Sequence, residues 1–181
     1  MTRLKFLKTI QSRTARGAVS PSAVRGRGHR GTVAAARLFL RQVDLRLFGC
    51  SNAGDFARAL NSTTVQLQNA LPSETQKWGI ARKVLNIFLR DCLYTTYLER
   101  AYRLRRAEHL FELPLDSITG TALKRAAGRG GLPKWPGVKH LKSSLSAKFQ
   151  RAAGVEATRQ GIARVHLDAV WFSIARDENA G

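Results

Sequence analysis

Residues 80–104 read IARKVLNIFLRDCLYTTYLERAYRL, with apolar side chains at Ile80, Ala81, Val84, Leu85, Ile87, Phe88, Leu89, Cys92 and Leu93. A helix that is apolar around most of its circumference must be surrounded by others. The spacing therefore predicts the central helix of an all-α fold. Its interruptions, Lys83, Asn86 and Arg90, stand at i, i+3 and i+7 and form one polar stripe. Such a stripe is either a plain solvent-facing strip or a face that carries chemistry.

Upstream of this segment lies a short polar connector, PSETQKWG at residues 72–79. Before that, Phe56, Leu60, Thr63, Leu67 and Ala70 recur at helical steps, an amphipathic helix that Pro72 ends. The run from Val33 to Phe48 predicts another helix. Downstream, Pro114 breaks the chain, and Asp116 with Ser117 opens a helix carrying Ile118, Ala122 and Leu123. The stretch AAGRGGLPKWPG at residues 126–137 is a loop by composition, with Arg129, Lys134 and Lys139 around Trp135. Helices around Leu145–Ala153 and Leu167–Ala175 complete the chain. No run alternates as a strand would.

The 181 residues carry 31 Lys and Arg against 12 Asp and Glu, a formal net charge of +19. The positive potential draws polyanions, and nucleic acid is the expected partner. No apolar run approaches the roughly 20 residues that crossing a membrane needs. Cys50 and Cys92 lie far apart with no second ligand at metal spacing, so no zinc site or disulfide framework is expected. They fit a reducing cytoplasm, at the nucleoid for a DNA-bound protein. Residues 11–32 are poor in large apolar groups and rich in Gly, Ser and Arg, a composition that cannot offset chain entropy by burial. Residues 1–32 therefore read as a basic, flexible arm ahead of a helical domain at 33–181, although an organellar presequence has a similar composition.

Three short segments hold groups able to do chemistry. An amine near the start of a helix faces the positive end of the macrodipole, which disfavours an ammonium, and an uncharged amine is a nucleophile. Lys83 meets this condition if its helix starts near Gly79. If Ser73 and Gln76 form a capping box instead, Lys83 lies almost three turns in. Asp116 is an N-cap by position, and a capping carboxylate that faces a cleft is also able to stabilise a sugar cation or move a proton. In HLDAVWF, residues 166–172, Asp168 sits amid Leu167, Val170 and Trp171 and would be costly to bury without a donor, which the N–H edge of a base would supply. P-loop, GxSxG, HExxH and paired-cysteine metal motifs are absent from the sequence.

A helix, a short connector, a second helix with an early lysine and then a Pro-containing turn ending in Asp together resemble the helix-hairpin-helix DNA glycosylases. The likeness is to the archaeal 8-oxoguanine glycosylase branch, where the lysine-to-aspartate gap is long; here it is 116 − 83 = 33 residues. It covers roughly residues 55–175, and its specificity rests on those three segments. The resemblance implies a helical glycosylase bundle with Lys83 as nucleophile toward C1′ of a flipped nucleotide and Asp116 as the catalytic carboxylate. It further implies Asp168, with Trp171 or Phe172, as the groups that hold the base. Arg82, Arg129, Lys134 and Lys139 are the candidates for contacts to the DNA backbone. The connector PSETQKWG departs from the family in lacking the GxG whose amides bind a phosphate. The expected substrate is an oxidised guanine or a modified base of phage DNA in double-stranded DNA, handled by a monomer without cofactor or metal, with strand cleavage as an optional second step. The competing expectation is a non-catalytic basic helical protein that coats DNA or RNA.

Overall fold

The computed structural model describes residues 2–20 and 31–177. Within them the chain is all-α, with no strand. The helices are α1 (Arg3–Ala18), α2 (Thr32–Leu40), α3 (Ala53–Ala70), α4 (Trp78–Tyr94), α5 (Thr96–Tyr102), α6 (Ser117–Ala126), α7 (Ser143–Arg159) and α8 (Leu167–Asp177). Short 3-10 segments at Leu45–Phe48, Ser73–Thr75, Leu104–Leu110, Val138–His140 and Arg164–His166 fill the joints.

Two apolar cores form. The first surrounds α4, whose Val84, Leu85, Phe88 and Leu89 are fully buried against α1, α2, α3 and α5. Each such side chain contributes roughly 1.5–3 kcal/mol relative to exposure. The second gathers Leu113, Leu123, Leu141, Phe149 and Leu167 between α6, α7 and α8. The chain passes from one core to the other through residues 111–116, an extended stretch whose backbone is satisfied by side chains. The Gln150 amide brackets Leu113, accepting from its N–H at 3.1 Å and donating to its carbonyl at 2.8 Å. Arg164 donates to the Leu110 and Phe111 carbonyls, both at 2.9 Å. Such groups would be costly to bury unpaired, so these side chains fix the path of the crossing and, with it, the position of Asp116.

The central-helix expectation meets a break. Thr95 is extended (φ −88°, ψ 104°), and its hydroxyl donates back to the Asp91 carbonyl at 2.7 Å, so residues 80–104 form α4 and α5 instead of one rod. The helix expected over Val33–Phe48 also divides. It stops after Leu40, and Asp44 caps a 3-10 turn by accepting from the Arg46 N–H at 3.0 Å.

The arm expected over residues 1–32 is corrected in its first half. Arg3–Ala18 is an ordered helix, capped by Thr2 and seated on α4 and α2. It buries mainly small groups, Ala15 and Ala18, and a polar one, Gln11, whose amide donates to the Leu40 and Val43 carbonyls. A composition scan for large apolar residues passes over such a face. Residues 21–30 of that segment lie outside the described residues.

Candidate active site

α3 and α4 form a hairpin through Ser73–Thr75, which is a separate 3-10 turn. α4 therefore starts at Trp78, Lys83 falls in its second turn, and the alternative start at Ser73 is excluded. Side chains close the connector where a Gly motif might have: Gln76 donates to the Leu71 carbonyl at 2.9 Å and to that of Asn69 at 3.4 Å. Gly79 permits close approach of the following loop. A Cβ there would stand 2.1 Å from the Val138 carbonyl oxygen, so only glycine lets residues 138–141 lie over the start of α4.

Lys83 Nζ lies 3.5 Å from Asp116 Oδ2, with the side chains 11% and 25% exposed. The two oxygens of Asp116 are divided between tasks. Oδ1 accepts from the N–H groups of Ile118 (2.9 Å) and Thr119 (3.1 Å), while the Thr119 hydroxyl accepts from the Asp116 N–H at 2.9 Å, a capping box at the head of α6. Oδ2 is left to face the amine. The cap thus holds the carboxylate rigidly, and an amine from the first core meets an acid from the second.

Both groups line a cavity of about 860 Å³ between the two cores. Within α4, Lys83, Ile87, Arg90 and Tyr94 face it at steps of four, three and four residues. Asn86 does not. It is buried beside that face and donates to Glu112 at 3.1 Å, so of the polar stripe expected from Lys83, Asn86 and Arg90 only the first and last members reach the cavity. Asp168 lines the cavity, but its donor is Arg90, which pairs with it through Nη1 and with Asp91 through Nε (2.9 Å) and Nη2 (2.8 Å). Burial pushes the Asp91 carboxyl above its ordinary value, against the opposing pull of Arg90. Phe172, 49% exposed, also lines the cavity, whereas Trp171 packs against the second core.

Of the cations considered for the DNA backbone, Lys139 lines the cavity, and Arg129 and Lys134 are exposed along a neighbouring depression that shares Trp135 with it. Trp135 is set by Gly120, where a Cβ would approach the indole to 2.7 Å. Arg82 is a correction. It is only 6% exposed and turned away from the cavity, where it donates to Thr64 at 2.8 Å, lies 3.3 Å from the Glu112 carboxylate and stacks 4.9 Å over Trp78. Desolvation lowers its pKa, with Glu112 opposing. A guanidinium held this way ties the cores together and does not reach a phosphate.

The cavity also includes Trp135 of the basic loop and residues that sequence reasoning did not single out: Tyr94, His140 and the end of α1 at Gly17 and Ala18. Tyr94 was legible as the next member of the Lys83, Ile87, Arg90 series. The contribution of α1 was not, since nothing in residues 11–20 marks a packed helix. Among the described residues no cluster of three or more His, Cys, Asp or Glu is placed to hold a metal, and no helix is long and apolar enough to cross a membrane. No family model, curated protein or solved structure matches the chain.

Proposed function

We propose that the protein is a DNA glycosylase that takes an extruded nucleotide into the cavity between its cores and severs the base from C1′. The observation that carries this reading is the Lys83 amine, 3.5 Å from a carboxylate immobilised by its own helix cap, on the wall of a cavity of about 860 Å³. That volume lies in the range of ligand sites and has room for a nucleotide with a bulky substituent. The charge of +19 supplies the attraction to the phosphate backbone, and binding energy offsets the cost of unstacking.

In this mechanism the Lys83 ammonium first passes a proton to Asp116 Oδ2, the freed nitrogen pair attacks C1′, and the C1′–N bond breaks with its pair passing to the base. The departing base takes up the proton that the amine loses, with Asp116 Oδ2 as the carrier. Once that proton has passed to the base, the carboxylate is ionised again and stabilises the positive charge left on the sugar and its nitrogen. Opening of the sugar ring leaves an imine on Lys83. Water then releases an abasic site, or loss of a C2′ proton expels the 3′ phosphate and cuts the strand. The oxidised-guanine substrate follows the family resemblance; a modified base of phage DNA fits the cavity's size. Excision assays on duplexes carrying each base decide between repair and defence, and borohydride trapping reports the imine. A Lys83→Gln protein that excised at the wild-type rate would end the nucleophile assignment.

The rival reading, a non-catalytic nucleic-acid coat, accounts for the charge but gives no reason for an ion pair on the wall of a cavity. Binding with no product from any substrate would favour it.

A further inference from the structure

Outside the cavity, the first turns of α1 and α5 meet in a depression of about 540 Å³ lined by Arg3, Phe6, Leu7, Thr96, Tyr97 and Arg100. Phe6, Leu7 and Tyr97 supply apolar surface, Arg3 and Arg100 supply charge, and no acidic residue lines it. Tyr97 is 61% exposed, and its hydroxyl has no hydrogen-bond partner among the described residues. The side chain therefore gives the fold little burial and no polar contact. What it does have is a brace: the Phe6 ring stands at right angles to it, with centroids 5.0 Å apart and planes at 87°. A ring braced by one neighbour and exposed over most of its area keeps a face open to solvent.

The charge around this ring is placed against local preference. Arg3 and Lys5 occupy the first turn of α1, where the helix dipole disfavours cations, and no acidic residue stands there to offset them. Arg3 and Arg100 are both exposed, and neither meets a carboxylate among the described residues, whereas Arg46, Arg58, Arg82 and Arg90 each do. Two unpaired guanidiniums beside an open aromatic face are complementary to a nucleotide outside a duplex. The ring takes the base by stacking, and the guanidiniums take the phosphates next to it. A base within a duplex is covered on both faces by its neighbours and does not reach the ring.

We propose that Tyr97 is a stacking platform for an unpaired nucleobase, with Arg3 and Arg100 on the adjoining phosphates, so that this face of α1 and α5 binds single-stranded nucleic acid. The site shares no residue with the Lys83–Asp116 cavity and does not depend on the chemistry proposed there. The two are nevertheless neighbours, since a further depression shares Thr96 and Arg100 with the first and Tyr94 with the cavity.

The test is binding of the full chain, by fluorescence anisotropy at one stated salt concentration, to a short labelled DNA strand, the same strand as RNA, and the blunt DNA duplex of that sequence. Tyr97→Ala should weaken binding of at least one single strand by about fivefold or more, the low end of what one base–aromatic stack contributes, and leave duplex affinity within about twofold. Tyr97→Phe keeps the ring and should keep the affinity. Arg100→Ala should lower the slope of log K against log salt for the single strand by about 0.7, the share of one phosphate contact. Both side chains are exposed, so the variants should melt with the unsubstituted protein, and circular dichroism checks this. No binding of either strand, no loss in Tyr97→Ala, equal losses on strand and duplex, or a loss in Tyr97→Phe as large as in Tyr97→Ala would each overturn the proposal. So would a dimer in light scattering that Tyr97→Ala dissociates while strand binding persists, which gives the patch to a second copy of the chain. Failure to excise any base would sink the glycosylase reading and leave this site as it stands.

Discussion

Replacing Asp116 by Asn separates the two tasks of that side chain. Asn is as good an N-cap as Asp, and its carbonyl oxygen is able to take over the bonds from the Ile118 and Thr119 N–H groups. What it loses is the charge beside Lys83. At 3.5 Å and an effective permittivity of about 20, the attraction between the two charges is roughly 4–5 kcal/mol before desolvation, which offsets most of it in a pair this buried. Asp116→Ala loses the same charge and the cap as well. The difference in stability between the variants is therefore the cap alone, about 1 kcal/mol, or roughly 2–4 °C in Tm for a chain of this length. Both variants lack Oδ2, so on the proposed function both should slow base excision by about 100-fold or more, the scale of a missing acid–base group. Melting by circular dichroism and single-turnover excision read the two quantities separately. If Asp116→Asn excised at the wild-type rate, the carboxylate would be a cap and nothing else. If Asn and Ala melted together, the cap would contribute nothing, and its rigid hold on Oδ2 would be lost from the argument.

Removing Arg82 should destabilise the fold by about 3–5 kcal/mol, since Glu112 loses its counter-charge and keeps only the Asn86 amide, and should leave the salt dependence of any DNA binding as it was; on the proposed function, Arg129→Ala or Lys134→Ala should each lower the slope of log K against log salt by about 0.9 with little effect on melting. Gly79→Ala should cost about 1–3 kcal/mol, because the new methyl meets the Val138 carbonyl and the loop over α4 must shift. Of the two thiols, Cys50 should react with a disulfide reagent in the folded protein and Cys92 only on unfolding, as burial raises the Cys92 pKa well above its usual value. For Asp91 the raised pKa means that the folded state holds its proton more tightly than the unfolded chain, so stability declines as pH rises from the ordinary carboxylate range through the folded value; melting followed across that window should show a flatter profile for Asp91→Asn.

The parts of this molecule that were legible in its sequence are those where one local rule suffices. The apolar circumference of residues 80–93 could only be a central helix, and the Asp116-Ser117 pair after Pro114 could only open one. The steps from Phe56 through Leu60 and Thr63 to Leu67 are the buried face of α3, whose last expected member, Ala70, is exposed at the helix end. Illegible were the places where a distant partner decides. Arg82 and Lys83 are adjacent and both cationic, yet Thr64 and Glu112 draw one into the interior and Asp116 holds the other at the cavity. Asp168 stands out in the sequence as a carboxylate that needs a donor, but the donor the fold supplies, Arg90, comes from a helix nearly 80 residues earlier and not from a base. α1 was missed because the groups it buries fully are alanines and a glutamine, with Leu7 and Ile10 only partly covered, and the glutamine has value only where residues 40 and 43 present carbonyls to it.

The division into two cores has a consequence for how the cavity is held open. Lys83 belongs to the first core and Asp116 to the second, and between them runs the extended crossing at residues 111–116, clamped by Gln150 from one side and by Arg82, Asn86 and Arg164 around Phe111 and Glu112 from the other. None of these clamping groups lines the cavity. The 3.5 Å separation of amine and acid is thus set by contacts behind the wall that Tyr94, Arg90, Asp168 and Phe172 line. Loosening the crossing with Gln150→Ala, which leaves the buried Leu113 N–H and carbonyl unpaired, should accordingly weaken any chemistry that needs both Lys83 and Asp116 while leaving the residues of the cavity wall in place.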